Sequence, residues 1–115
     1  MPKDDFIRIQ HMREAALSAV QSAQGRLRSD LDTDLVWMMG LVKCVEIIGE
    51  AAAHVSDATR SQYPRIPWPQ IIGMRNRLVH VYFDIDRDRV WDTITIDLPI
   101  LIEELNNVLE KKPIT

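Results

Sequence analysis

Residues 34 to 54 constrain the fold of this 115-residue chain more than any other segment. At 100° per residue, apolar and small side chains cover nearly the whole circumference of a helix built from them. The polar side chains fall on one narrow stripe, made of Lys43, Glu46, Glu50 and His54. A helix that is apolar on almost every side lies at the centre of a bundle. We therefore predict a central helix from about Asp34 to His54.

Two other segments carry clear helix signals. Apolar residues recur at helical spacing from about Asp4 to Arg28, and the polar residues 29 to 34 supply turn and N-cap chemistry for the central helix. The proline-rich residues 64 to 69 end any preceding helix and favour a new one near Trp68, because proline is well tolerated in a first helical turn. That third helix is expected to run through the polar motif described below.

A fourth helix is expected in the last third of the chain. Asp84 or Asp86 is a candidate N-cap, and the helix is predicted to continue to about Glu110. Pro99 is expected to kink it, because proline lacks an N–H and collides with the carbonyl of Thr95. No strand-like alternation of useful length occurs. The sequence predicts an all-α, antiparallel four- to five-helix bundle in a single domain, 1–115.

Composition excludes several classes of protein. The net charge of −3 argues against a general nucleic-acid coat, which needs many phosphate contacts. Cys44 is the single cysteine, so an intrachain disulfide and a site of paired cysteines are both excluded, and its apolar neighbours favour a buried thiol. The longest apolar stretch, Leu35 to Val45, is too short to span a bilayer. We expect a cytoplasmic protein without a membrane partner.

Positive charge is concentrated locally. Between residues 60 and 90, six arginines accompany three aspartates, although the whole chain is acidic. This excess favours a local anion site or, equally, an ordinary mixed surface.

The stretch GMRNRLVHVYF, residues 73 to 83, places polar side chains inside an apolar run. On a helical wheel, Arg75 falls in the middle of the apolar stripe, where a solvated arginine is not expected. Burial of an unpaired guanidinium is costly, so Arg75 needs a carboxylate, a ligand or an opening to solvent. Glu46 and Glu50 of the central helix are the candidate partners, and Glu50 is the preferred one.

Asn76 and His80 lie four residues apart and are neighbours if the helix continues past them. Asn76 would then hold one ring nitrogen of His80 and leave the other free for proton transfer. Arg75 and His80 are about 140° apart on a straight helix. They converge only if the helix ends near His80, or across a two-fold axis. An ordinary, non-catalytic histidine is the alternative.

Together with its flanking blocks, this motif resembles the HepT-like proteins of the HEPN superfamily. The motif is an arginine, four residues, a histidine, one residue and a tyrosine, here RNRLVHVY. The flanking blocks are EIIGEAA (46–52), IPWPQIIGMRNRLVH (66–80) and VWDTITIDLPILIEEL (90–105), in the family's order. The resemblance covers most of the chain from about residue 34 onward.

The resemblance implies a two-fold homodimer of helical bundles, with both Arg75 and His80 sets lining a cleft at the interface. It implies a metal-independent ribonuclease, without a cofactor, that is the toxin of a toxin–antitoxin pair. The partners would be RNA and a minimal nucleotidyltransferase antitoxin. In studied pairs that antitoxin transfers AMP to the motif tyrosine, which is Tyr82 here.

These residue types suit RNA cleavage by attack of a 2′-hydroxyl on the adjacent phosphate. His80 can act as general base or acid near neutral pH. Arg75 can bind the phosphate through two hydrogen bonds and stabilise the transition state. Asn76 would orient His80 or donate to a phosphate oxygen, and Glu50 would support Arg75. Further candidates for RNA contact are Arg77 and Lys43.

Other interpretations stay open. Tyr82 is either a base or phosphate contact or a buried hydroxyl packed against Ile71 and Leu78. The stripe on the central helix resembles part of a metal site, but bundle di-metal centres use Glu-x-x-His pairs from two helices, so no metal site is predicted. A non-catalytic adaptor, or a nucleotide-binding partner of a nucleotidyltransferase, is the alternative to the ribonuclease. A purely structural dimer would leave Arg75 unexplained.

Overall fold

The computed structural model describes residues 1–110, and all of its regular elements are helical. The last five residues of the predicted domain, 111–115, lie outside the described residues. A short 3₁₀ turn spans Val81–Phe83, and a π-helical turn spans Thr93–Asp97. The α-helices are α1 (Lys3–Ser22), α2 (Asp30–Thr33), α3 (Leu35–His54), α4 (Asp57–Gln62), α5 (Trp68–Ile72), α6 (Met74–Leu78), α7 (Arg87–Asp92) and α8 (Leu98–Glu110).

Helix α3 lies at the centre of the packing, which confirms the all-α bundle. Its most extensive contact is with α1, and it also packs against α5 and α6. Helix α8 covers α1 from another side. Fully buried side chains from all three long helices meet in one core: Ile9, Met12, Leu41, Val45, Ile48, Leu98 and Leu105.

One face of α3 nevertheless remains uncovered. Val36 is 82% exposed and Met39 is 52% exposed, and Leu35 and Ile47 are exposed on the same helix. Within residues 1–110, these apolar side chains leave one face of the central helix without covering elements. Cys44 is half-buried, and desolvation raises the pKa of its thiol.

Helix α1 ends earlier than expected, before the junction with α3. Helix α1 ends at Ser22 rather than near Arg28, and Gly25 adopts a left-handed φ of 76°. Asp34 caps α3 by accepting a hydrogen bond from the backbone N–H of Trp37 at 3.0 Å, as the polar segment predicted. The indole Nε1 of Trp37 donates to Ser22 Oγ at 3.0 Å, which ties the end of α1 to the start of α3.

The C-terminal helical segment, from α7 to α8, also follows the sequence signals. Asp86 is the cap of α7, accepting from the backbone N–H of Arg89 at 3.0 Å. Regular α-helical hydrogen bonding is interrupted at Thr93–Asp97, directly before Pro99. A π turn is one of the recognised ways in which a helix accommodates an irregularity in its hydrogen-bond ladder. No helix within residues 1–110 is long and apolar enough to cross a bilayer.

Candidate active site

The motif residues lie on a helix that is broken twice. Gly73 separates α5 from α6, and α6 ends at Leu78 instead of continuing through His80. Gly49 of α3 lets this segment approach closely: a Cβ atom there would lie 3.2 Å from the carbonyl oxygens of Ile71 and Ile72. Backbone contact with α3 therefore sets the position of the segment that carries Arg75.

Arg75 is half-buried between α6 and α3, with 39% of its side chain exposed. Its Nε lies 3.9 Å from Glu46 Oε2, and Glu46 also pairs with Lys43 at 3.0 Å. The hydrogen bond and charge of Lys43, followed by the charge of Arg75, lower the pKa of the Glu46 carboxyl. The preference for Glu50 as partner is therefore corrected to Glu46, because Glu50 makes no ion pair within residues 1–110.

A cleft of about 340 Å³ opens beside Arg75. Arg75 and Asn76 of α6 form one wall, and Glu46, Gly49 and Glu50 of α3 form the facing wall. Among residues 1–110 the long contact with Glu46 is the one ion pair of Arg75, so its remaining N–H groups can bind an anion from solvent. The geometry suits a phosphate held at the guanidinium.

The expected contact between Asn76 and His80 is absent from the described chain. The helical face that would unite them ends at Leu78, after which Val79 and His80 have extended backbones. The backbone N–H of His80 donates to the carbonyl of Asp84 at 2.8 Å, and the His80 side chain is exposed. The prediction that Asn76 fixes the tautomer of His80 is therefore wrong for this conformation.

Tyr82 stands at the tip of a closed turn. The backbone N–H of Asp86 donates to the carbonyl of Leu78 at 2.8 Å, and Val79 pairs with Ile85 across the base of the turn. Tyr82 is 96% exposed and has a φ of 54°. The alternative of a buried Tyr82 hydroxyl is therefore wrong, and the turn presents His80 and Tyr82 to solvent two residues apart.

The remaining predicted site residues separate into different environments. Lys43 is occupied by Glu46, and His54 Nδ1 lies 2.8 Å from the backbone carbonyl of Glu50. No group of three metal-ligating side chains occurs among residues 1–110. Arg77 faces away from Arg75, into a second and larger cleft. The local excess of arginine in the sequence was the signal for that cleft, but it did not distinguish the two faces of α6.

Several known proteins resemble this chain in sequence. A model of the ribonuclease HepT-like family matches residues 12–108. The chain is 29% identical over 104 residues to a protein of Caldanaerobacter subterraneus subsp. tengcongensis named "Putative RNase", covering 90% of this chain and 93% of that protein. No solved structure gave a significant match.

Two archaeal relatives match a shorter part of this chain. A Methanocaldococcus jannaschii protein, also named "Putative RNase", is 36% identical over 70 residues, which cover 61% of this chain and 58% of that protein. A Thermococcus cleftensis protein named "Probable ribonuclease HepT" is 33% identical over 72 residues, covering 63% and 66%. The matches thus span less than two thirds of the length of these two relatives. The family match covers α3, α5 and α6, which form the Arg75 cleft, and the chain therefore belongs to the ribonuclease HepT-like family.

Proposed function

We propose that this protein is a metal-independent endoribonuclease. The observation that carries the proposal is the cleft lined by Arg75, half-buried and incompletely paired, on the short helix α6 that leads into the turn exposing His80. An exposed imidazole and an accessible guanidinium can supply the proton transfer and the charge stabilisation that phosphodiester cleavage through the 2′-hydroxyl requires. The names of the relatives support the same class of activity.

The proposed reaction begins when a 2′-hydroxyl attacks the adjacent phosphorus. A neutral His80 accepts the hydroxyl proton, and a protonated histidine donates to the departing 5′-oxygen. Arg75 binds the nonbridging oxygens and stabilises the charge that develops on phosphorus. The P–O5′ bond breaks, so the products are a 2′,3′-cyclic phosphate and a 5′-hydroxyl.

Two histidines are needed for the two proton transfers, and a two-fold homodimer would supply them. The exposed face of α3 supports this assembly, because Val36, Met39, Lys43, Ile47 and Glu50 fall within an arc of about 80°. Glu50 lies at the end of that face and lines the Arg75 cleft. A second copy packed on this face would bring its own cleft close to the first.

Regulation through Tyr82 completes the proposal. The Tyr82 hydroxyl is fully accessible to an enzyme that transfers AMP, and the partner we propose is a nucleotidyltransferase antitoxin. An AMP group there adds a negative charge and a bulky base near Arg75. It would block RNA by occupying space and by competing for the guanidinium. The pair would then form a toxin–antitoxin system.

The test of the activity is cleavage of a labelled RNA by the purified protein in the presence of EDTA. His80→Ala and Arg75→Ala should each lower the rate by about 10²- to 10⁴-fold. Arg60→Ala is the matched control, because it removes a half-buried arginine that pairs with Asp57 and lines neither cleft. Wild-type rates in His80→Ala, or a requirement for added divalent metal, would refute the mechanism.

The test of regulation is the intact mass of protein produced together with the nucleotidyltransferase. The mass should rise by one or more AMP units, and Tyr82→Phe should abolish the rise. The second tyrosine, Tyr63, is half-buried and serves as the internal control. Modification at Tyr63 would contradict the regulatory proposal and leave the ribonuclease proposal intact.

A further inference from the structure

A second cleft of the described chain does not contain Arg75. It measures about 590 Å³ and lies between α5 and α6 on one side and the C-terminal helical segment, from α7 to α8, on the other. Ile71, Met74 and Arg77 face it from the helices whose opposite side carries Ile72, Arg75 and Asn76. The same helical segment therefore separates two concave sites.

The floor of this cleft is apolar and its edge is charged. The floor side chains are Pro67, Ile71, Met74, Leu98, Ile100 and Leu101. Ile100 is exposed, so the floor stays accessible from solvent. An apolar surface of this kind suits a planar aromatic group rather than a small hydrated ion.

The edge carries three guanidinium groups and two carboxylates. Arg65 lies 3.8 Å from Glu104, and Arg77 donates to the backbone carbonyl of Gln70 at 3.1 Å. Within residues 1–110, the side chains of Arg89 and Asp97 have no ionic or hydrogen-bonded partner. The guanidinium groups of Arg77 and Arg89 are thus two cations without a carboxylate partner. The carboxylate of Asp97 is a hydrogen-bond acceptor without a donor.

From this arrangement we infer that the cleft binds a nucleotide. The base lies on the apolar floor, and its exocyclic N–H groups donate to Asp97. The phosphate accepts hydrogen bonds from Arg77 and Arg89, whose planar guanidinium groups match its oxygens. A nucleotide uses the apolar floor, the free acceptor and the two cations together.

The volume favours a nucleotide over a partner helix. Ligand sites measure roughly 300–1,000 Å³. A helix is about 10–12 Å wide and rises about 5.4 Å per turn, so about one turn would fill this cleft. That is too short for the i to i+7 anchors of helix-in-groove binding. The nucleotide can be free in solution or be part of an RNA strand, since both present the same base and phosphate.

Calorimetric titration tests the inference without any cleavage step. The probes are guanosine 5′-monophosphate, guanosine, and a 2′-O-methyl hexaribonucleotide of mixed sequence that cannot be cleaved. Arg89→Ala and Ile100→Gln should each weaken nucleotide binding by about tenfold. The matched controls are Arg60→Ala and Ile96→Gln, which change an arginine and an exposed isoleucine outside the cleft.

The outcomes separate clearly. Binding of the monophosphate that exceeds binding of guanosine, and that is weakened by Arg89→Ala, supports a site for free nucleotide. Loss of hexaribonucleotide binding in the same variants supports a site for an RNA strand. The inference is overturned if neither probe binds, or if Arg89→Ala and Ile100→Gln bind like wild type. It is also overturned if the two variants weaken binding of the nucleotidyltransferase alone, which would make the cleft a protein interface.

Discussion

Tyr82 combines near-complete exposure with a backbone conformation that L-residues rarely adopt. The left-handed conformation costs a non-glycine residue about 1–2 kcal/mol. The hydrogen bonds at the base of the turn, from His80 and Asp86, hold the backbone there. Such strain is retained where a turn must present one side chain in a fixed position.

Tyr82→Gly should therefore raise the free energy of unfolding. The gain should be about 0.5–1 kcal/mol, because glycine removes the strain but adds about 0.5–1 kcal/mol of chain entropy to the unfolded state. Urea denaturation measures the change. Tyr82→Phe is the matched control: it keeps the strain and the ring, and should match wild type. A loss of stability in Tyr82→Gly would show that the exposed ring makes a stabilising contact.

At the scale of the elements, Asp5 joins the first turn of α1 to the start of α4. The carboxylate is buried and accepts hydrogen bonds from Ser56 N–H at 3.0 Å, Ser56 Oγ at 2.6 Å and Thr59 Oγ1 at 2.6 Å. Desolvation raises the pKa of Asp5, but the hydrogen bonds from Ser56 and Thr59 outweigh it, so the pKa is lowered overall.

Asp5→Ala should destabilise the bundle by about 3 kcal/mol, since hydrogen bonds to charged groups contribute about 1.5–3 kcal/mol. The lowered pKa means that Asp5 stabilises the fold above the ordinary carboxyl pKa near 4. This stabilisation is lost as the pH falls through the lower pKa of the folded state. The free energies of unfolding of the wild type and of Asp5→Ala, measured from pH 7 to pH 2, should converge in acid.

Asp4→Ala is the control, because Asp4 is an exposed neighbour. It should change the free energy of unfolding by only a few tenths of a kcal/mol. A penalty as large as that of Asp5→Ala would contradict this account.

The crossing of α3 over α5 depends on Gly49. Gly49→Ala should cost about 1–3 kcal/mol, because the added Cβ meets two backbone carbonyls that cannot rotate away. Gly40→Ala on the same helix has open space around it and should stabilise by up to about 1 kcal/mol. Both changes are compared in a chain that also carries Val36→Glu, so that association through this face does not contribute. Equal effects at the two positions would show that the crossing tolerates displacement.

At the scale of the whole molecule, the uncovered face of α3 predicts a dimer. Light scattering should give twice the 13.3 kDa of one chain at micromolar concentration. The double change Val36→Glu and Met39→Glu should yield a folded monomer with RNA cleavage reduced by at least tenfold, because charges at both positions oppose burial of the face. Leu27→Glu, also exposed but outside α3, should remain dimeric. A monomeric wild-type protein with full activity would exclude a shared active site.

Local patterns in the sequence were sufficient to predict the central helix and several helix ends. The span of α3, the caps at Asp34 and Asp86, and the irregular helix before Pro99 depend on neighbouring residues, whose chemistry is visible in the sequence. The family resemblance likewise depends on residue types at fixed spacing, and the family match confirmed the resemblance.

Only the tertiary structure decided how the site is arranged. A helical wheel assumes that the helix continues, but the backbone of Leu78 bonds to Asp86 instead, which ends α6 and turns His80 and Tyr82 outward. The choice of Glu46 over Glu50 depends on the distance between two helices that Gly49 brings together. Sequence periodicity determines which side chains share a face, because it is a property of one helix. Which faces meet depends on contacts between residues far apart in the chain, and these placed Arg75 and Arg77 in separate clefts.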